Sequence, residues 1–169
     1  MFRLPVSVAA LALLTAPAFA TDTCTFGNYE ADPDDMAHIM GLTMGATVVH
    51  AGGSVFMQIT GTDEYWIHAD NISFFVQAPG QPAIEVTVSG DAEGTVDFTP
   101  GSAGSGGTFS LVNTSYTLTA SADILGSIMT FPIPPGFMGS ASGLYGCSDD
   151  SLRFESYGTS DIPRDWRRI

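Results

Sequence analysis

The sequence predicts an all-β protein: an antiparallel meander barrel or strongly curved sheet of about ten short strands, with one short N-terminal helix. Three observations predict it. Apolar and polar residues alternate over many short runs, the period of a strand with one buried face. Glycine and proline, 19 and 10 in number, punctuate those runs with turn chemistry. The two cysteines, Cys24 and Cys147, bracket most of the alternating region.

The elements follow in order. Met1 to Ala20 carries an early Arg3, the apolar run Val6 to Leu14 and a small-x-small ending, Ala18-Phe19-Ala20. That is the pattern of a cleaved secretory signal, too short for a stable membrane span. Residues 21–156 are expected to form one β domain, and 157–169 a C-terminal tail. Gly27-Asn28-Tyr29 opens the first strand. Asp32-Pro33-Asp34-Asp35 then reads as a helix start, with Asp32 as cap and Pro33 at the first helical position. Acidic residues there suit the positive end of the helix dipole. Met36, Ile39, Met40 and Met44 recur at helical spacing, so the helix should run from Pro33 to Met44, with Gly45 ending it.

Alternation resumes with Val55, Met57 and Ile59, then Tyr65, Ile67 and Ala69, with Glu64, Trp66 and His68 on the other face. Ile84, Val86 and Val88 follow, then Val96 and Phe98, Phe109 and Leu111, and Tyr116, Leu118 and Ala120. A run from Ile128 to Phe131, a penultimate strand ending Gly143 to Cys147, and the Leu152, Phe154 run complete the set. Thr62-Asp63, Ala78 to Pro82, Gly90-Asp91-Ala92 and Ser148-Asp149-Asp150 read as turns between strands. The short spacings favour antiparallel hairpins over crossovers. Gly101 to Gly107 reads as a loop; it has no lysine and no following helix, so it is no phosphate cradle.

Charge excludes several functions. The chain has 18 acidic residues and a net charge of −13. Arg153, Arg164, Arg167 and Arg168 are the only basic residues after the signal segment, and lysine is absent. Such a surface repels phosphate backbones and anionic lipid, which argues against a nucleic-acid partner and electrostatic membrane docking. An apolar fraction of 44% argues against disorder. In an exported chain an even cysteine pair reads as a disulfide, Cys24 to Cys147. Closing a loop of about 120 residues stabilises by ~4–5 kcal/mol on the chain-entropy model. The protein is expected to be periplasmic or secreted.

Gly27-Asn28-Tyr29 at the first strand, the early helix, and the stretches Glu93 to Phe98 and Gly143 to Phe154 together resemble the lipocalin-like, calycin-type small β-barrels that bacteria secrete. Tyr29 stands where lipocalins proper carry Trp, and no basic partner for it is evident in the sequence nearby. The resemblance implies a barrel that can hold one small apolar ligand.

No catalytic motif is present. His38, His50 and His68 lie on separate segments without metal-ligand spacing. Glu64, Glu85 and Glu93 are separate acids that a fold could bring together as a carboxylate pair. Met36, Met40 and Met44 could supply soft ligands to Cu(I), but a stripe of this kind more often packs. The expectation is therefore a binding module with no enzyme activity, no cofactor and no metal. Its ligand would be contacted by Met36, Met40, Met57, Tyr65, Ile67, Phe74 and Tyr116. The alternative is a structural or protein-interaction module of the cell envelope with a filled core. If the signal reading holds, Edman sequencing of the exported protein starts at Thr21; a start earlier in the chain contradicts it.

Overall fold

The computed structural model describes residues 23–101, 106–124, 126–134, 137–158 and 162–169; the segment expected to be a signal, Met1 to Ala20, lies outside the described residues. A 3-10 turn at Thr23–Thr25 leads into β1 (Gly27–Ala31), α1 (Pro33–Met44), β2 (Thr47–Ile59), β3 (Glu64–Gln77), β4 (Ile84–Pro100) and β5 (Gly106–Tyr116). Then come β6 (Thr119–Ile124), β7 (Ser127–Pro132), β8 (Ala141–Cys147), β9 (Ser151–Ser156) and β10 (Asp165–Arg168). Eight strands close an antiparallel barrel in the order β3-β2-β1-β10-β9-β8-β5-β4, with β4 returning to β3. β6 and β7 extend the sheet from the first half of β4.

The helix forms where its local chemistry places it. The Asp32 carboxylate accepts from the backbone N–H of Asp34 at 2.9 Å, and Gly45 ends the helix in the left-handed region at φ 62°. Asp35 does more than favour the dipole. Its carboxylate accepts the Arg164 backbone N–H at 2.7 Å and faces the Arg164 guanidinium at 3.5 Å, tying α1 to the segment before β10.

A row of irregularities crosses three adjacent strands. Gly53 in β2 has φ 75°, Asn71 in β3 has φ 47° and Gly90 in β4 has φ 120°. The ladder slips beside Gly53, and again between Ala69 and Ile72. A side chain at Gly53 would collide with the Asn71 carbonyl, and one at Gly90 would meet the Thr117 carbonyl oxygen at 2.6 Å. Only glycine fits backbones this close. On one side of this row lies the barrel. On the other, β2, β3 and β4 run on as a flared sheet completed by β6 and β7. This corrects two expectations. Gly90-Asp91-Ala92 is a bend inside one long strand, since β4 runs unbroken from Ile84 to Pro100. The Tyr116 to Ala120 run is broken at Thr117 and passes from β5 to β6 along the same edge of β4.

The last strand closes the barrel. β10 lies within residues 157–169, which were expected to be a tail, and it pairs with β1 and β9. Its four residues, Asp-Trp-Arg-Arg, are three-quarters charged and show no alternation, so pattern alone did not reveal a strand. Trp166 is 1% exposed and donates its indole N–H to the Pro163 carbonyl at 2.7 Å. Gly143 to Cys147 is accordingly the third strand from the end. Arg168 lies over the Tyr29 ring at 5.5 Å. It donates to the Tyr29 hydroxyl at 3.0 Å and to the Phe26 carbonyl at 2.5 Å. The basic partner missing near Tyr29 in the sequence is thus supplied by the last strand. The Cys24–Cys147 disulfide, with Cα atoms 5.8 Å apart, ties the turn before β1 to the end of β8. Thiol labelling of the unfolded, unreduced protein should find no free cysteine, and the Cys24→Ser/Cys147→Ser double variant should lose about 2–5 kcal/mol in urea unfolding.

Candidate functional site

The inner wall of the barrel is built from the inward residues of the alternating runs. Tyr29, Val55, Met57, Tyr65, Ile67, Val96, Leu111, Leu152, Phe154 and Trp166 are all buried. Phe98 meets Tyr145 edge-on at 4.8 Å, and Phe109 meets Phe154 at 4.6 Å. These contacts fill the interior with the protein's own side chains.

The residues expected to hold a ligand fall in different places. Met57 and Ile67 are opposite one another on β2 and β3, with Tyr65 two residues along; all three belong to the filled core. Phe74 lies past the bend, fully buried, with the His50 ring against its edge at 5.9 Å. Met36 is buried on α1 and Met40 half-buried, while Met44 at the helix end is exposed. Tyr116, at the end of β5, donates to the Phe137 carbonyl at 2.5 Å. Tyr65 donates to Asn113 Oδ1. Burial pushes both of these hydroxyls up to about 12.

The open features lie on the outer wall. Glu64, Trp66 and His68 share the outward face of β3. Trp66 is opposite Gln58 on β2 and Glu93 on β4, and Glu64 is opposite Thr95. The Trp66 and His68 rings stack at 5.2 Å and 18°. Both are anchored by Asp91, which accepts the Trp66 indole N–H at 3.0 Å and contacts His68 Nδ1 at 2.8 Å. A depression of about 540 Å³ is lined by Trp66, Glu64, Glu93, Gln58, Thr95 and Thr114 among others, with no basic residue in its wall. His68 stacks on the indole, while Trp66 lines this depression together with Glu64 and Glu93. Two of the three separate acids are thus brought to one groove. Glu85 is not; it lies on the flared part of β4, opposite Phe75.

A second depression, about 670 Å³, runs across β1, β10 and β9. Four of the charged residues lining it are paired with one another, Glu30 with Arg167 and Arg153 with Asp165. Arg167 meets Glu30 at 2.6 Å, and the Ser54 hydroxyl donates to the same carboxylate at 2.9 Å. The Arg167 guanidinium, helped by Ser54, holds the Glu30 carboxyl below its usual range. Arg153 and Arg164 both reach Asp165.

Among the described residues no three His, Cys, Asp or Glu side chains are grouped to hold a metal ion, and no helix is long and apolar enough to cross a membrane. Trp66 and Asp91 were not singled out from sequence. The available signal was a Trp alternating on the wet face of a strand, an amphipathic ring of the kind enriched at interfaces. Comparison with protein-family models, with curated proteins and with solved structures finds no match to the chain.

The raised tyrosine values carry a pH signature. A folded hydroxyl that resists ionisation favours the native state below pH 10, and that contribution is lost as pH rises from about 10 to 12. Stability should therefore fall over that interval. Tyr65→Phe and Tyr116→Phe should each fall less steeply than the parent in urea unfolding across the same pH series.

Proposed function

We propose that this chain is an exported binding module of lipocalin-like architecture, in which the barrel is a filled scaffold and the ligand is taken on the outer wall at Trp66. The ligand class is a cation: an ammonium or guanidinium group, free or on a basic partner. The observation that carries the reading is the groove lined together by the Trp66 indole, Glu64 and Glu93. The Glu64 carboxylate accepts only the Thr62 hydroxyl, at 3.2 Å, and neither acid is in an ion pair among the described residues. An aromatic face with carboxylates beside it attracts a cation through the ring quadrupole and direct charge. The anchoring of Trp66 by Asp91 and His68 reduces the ordering cost of binding. The chain's net charge of −13 adds long-range attraction for the same ligands.

Three further features support the architecture and its setting. The signal-like N-terminal segment fits export, as does a disulfide. The barrel closed by Arg168 over Tyr29 fits the lipocalin-like group. The filled interior favours a ligand outside the barrel over a small apolar ligand within it, and so agrees with the interaction-module alternative.

The chain has two tryptophans, Trp66 and Trp166, and Trp166 is buried, so ligand-dependent fluorescence reports on Trp66. Arginine methyl ester and tetramethylammonium should each quench it saturably, with affinity falling as salt rises. Glu93→Gln should weaken binding, and Trp66→Leu should cost about 0.5–2 kcal/mol, read by calorimetry. No saturable binding of either cation, or equal saturation by methyl glucoside, overturns the proposal.

A further inference from the structure

The flared sheet ends on a strand that breaks the usual protections of a sheet edge. β7 is the last strand in the sheet order and pairs only with β6 among the described residues. All six of its residues are exposed. Ile128 is 78%, Met129 53% and Phe131 43% exposed. Natural edges are blunted by charge, by proline, by bulges or by cover. β7 has no charged residue, and its one proline, Pro132, is its final residue. Exposed apolar surface of this kind marks an interaction site.

The hydrogen-bond phase of β7 is fixed. The Ile133 N–H donates to the Leu118 carbonyl at 3.2 Å, and Ala120 lies opposite Phe131, Ala122 opposite Met129. In an antiparallel ladder the bonded pairs recur every second residue. Residues 127, 129 and 131 thus bond inward to β6. Ile128 and Thr130 turn their N–H and C=O groups to the open edge. Pro132 falls on the open side as well, where its missing N–H costs the ladder nothing.

We propose that β7 is a self-association edge, occupied by the β7 strand of a second copy running antiparallel to it. The geometry is self-complementary about Met129. Ile128 meets Thr130 of the other copy, Thr130 meets Ile128, and both pairs exchange N–H···O=C bonds. Met129 then meets Met129 across the two-fold axis as a non-hydrogen-bonded pair. Such a contact is isologous and closes at two chains. Charge selects the second copy as occupant. The chain has a net charge of −13, yet residues 119–133 contain a single charged side chain, Asp123. Two like-charged molecules can approach with least repulsion along that neutral stretch, whereas a basic partner would be drawn to the acidic faces elsewhere. The edge is separate from the Trp66 groove and rests on its own observations.

The test is sedimentation of the intact, oxidised protein over a concentration series, with and without added salt. A monomer–dimer equilibrium should appear and tighten as salt screens the repulsion, the reverse of the salt effect on a cation at Trp66. Thr130→Pro removes an N–H that turns to the open edge and has no partner among the described residues, so the monomer should keep its far-UV spectrum and melting temperature while dimerisation weakens by about tenfold or more. Met129→Cys should crosslink spontaneously to a disulfide dimer, because non-hydrogen-bonded pairs hold their Cα atoms about 4.5 Å apart, within disulfide reach. Ser110→Cys, at an exposed position on the barrel wall, should not. A protein that stays monomeric at every concentration and salt overturns the proposal. So does a dimer that survives Thr130→Pro unweakened, or a Met129→Cys variant that fails to crosslink.

Discussion

Backbone-to-backbone approach at the bend is the constraint on which the rest of the structure depends. Gly53 and Gly90 sit where any side chain would collide with a neighbouring backbone carbonyl, that of Asn71 or of Thr117. Their positive φ values let three strands change direction together. Because of that row, the same strands serve two structures: a closed barrel at one end and an open flare at the other. Remove the row and β2, β3 and β4 would run straight. The barrel would then lose its curvature there, or the flare would lose its separate face. Both the outer groove on β3 and β4 and the open edge of β7 take their positions from this division.

Closure rests on a second set of contacts. β10 is four residues long, so its ladders with β1 and β9 are short. It holds because Trp166 is buried and because Arg168 links the Tyr29 ring and hydroxyl to the carbonyls of Cys24 and Phe26. That guanidinium draws together the turn before β1, the first strand and the last. The Cys24 disulfide fastens the same turn to β8. The barrel end is therefore secured by covalent, cation–π and hydrogen-bonding contacts within one small region.

Much of this was legible from sequence, and the boundary is physical. The helix was readable to its termini because Asp32, Pro33 and Gly45 act on their immediate neighbours. The buried faces of β2, β3, β5 and β9 were readable because alternation is a local record of one-sided burial. The bend was not. Gly90-Asp91 has the chemistry of a hairpin turn, and only the nearness of Thr117, far along the chain, makes it a bend instead. Arg168 and Tyr29 are 139 residues apart, and no local signal joins them. At the groove, Glu64 and Glu93 were recognisable as acids that a fold could unite. Their common neighbour Trp66 was hidden in an alternation that was read for its buried partners, Tyr65 and Ile67. β7 was recognised as a strand, but its exposure depends on what the flare leaves uncovered.

The pairing of β1 with β10 has a consequence for how the molecule acquires its shape. The β2–β3, β3–β4 and β8–β9 ladders join neighbours in the chain, and such hairpins form on the microsecond scale. Barrel closure instead waits for the first and last strands to find each other, the most distant meeting in the topology, and long-range pairings of this kind slow folding. Until they meet, β1 and β10 each present an unsatisfied edge beside the exposed edge of β7. The incompletely closed chain is thus the species most exposed to intermolecular strand pairing, and the speed of closure governs how much of the protein reaches its finished state.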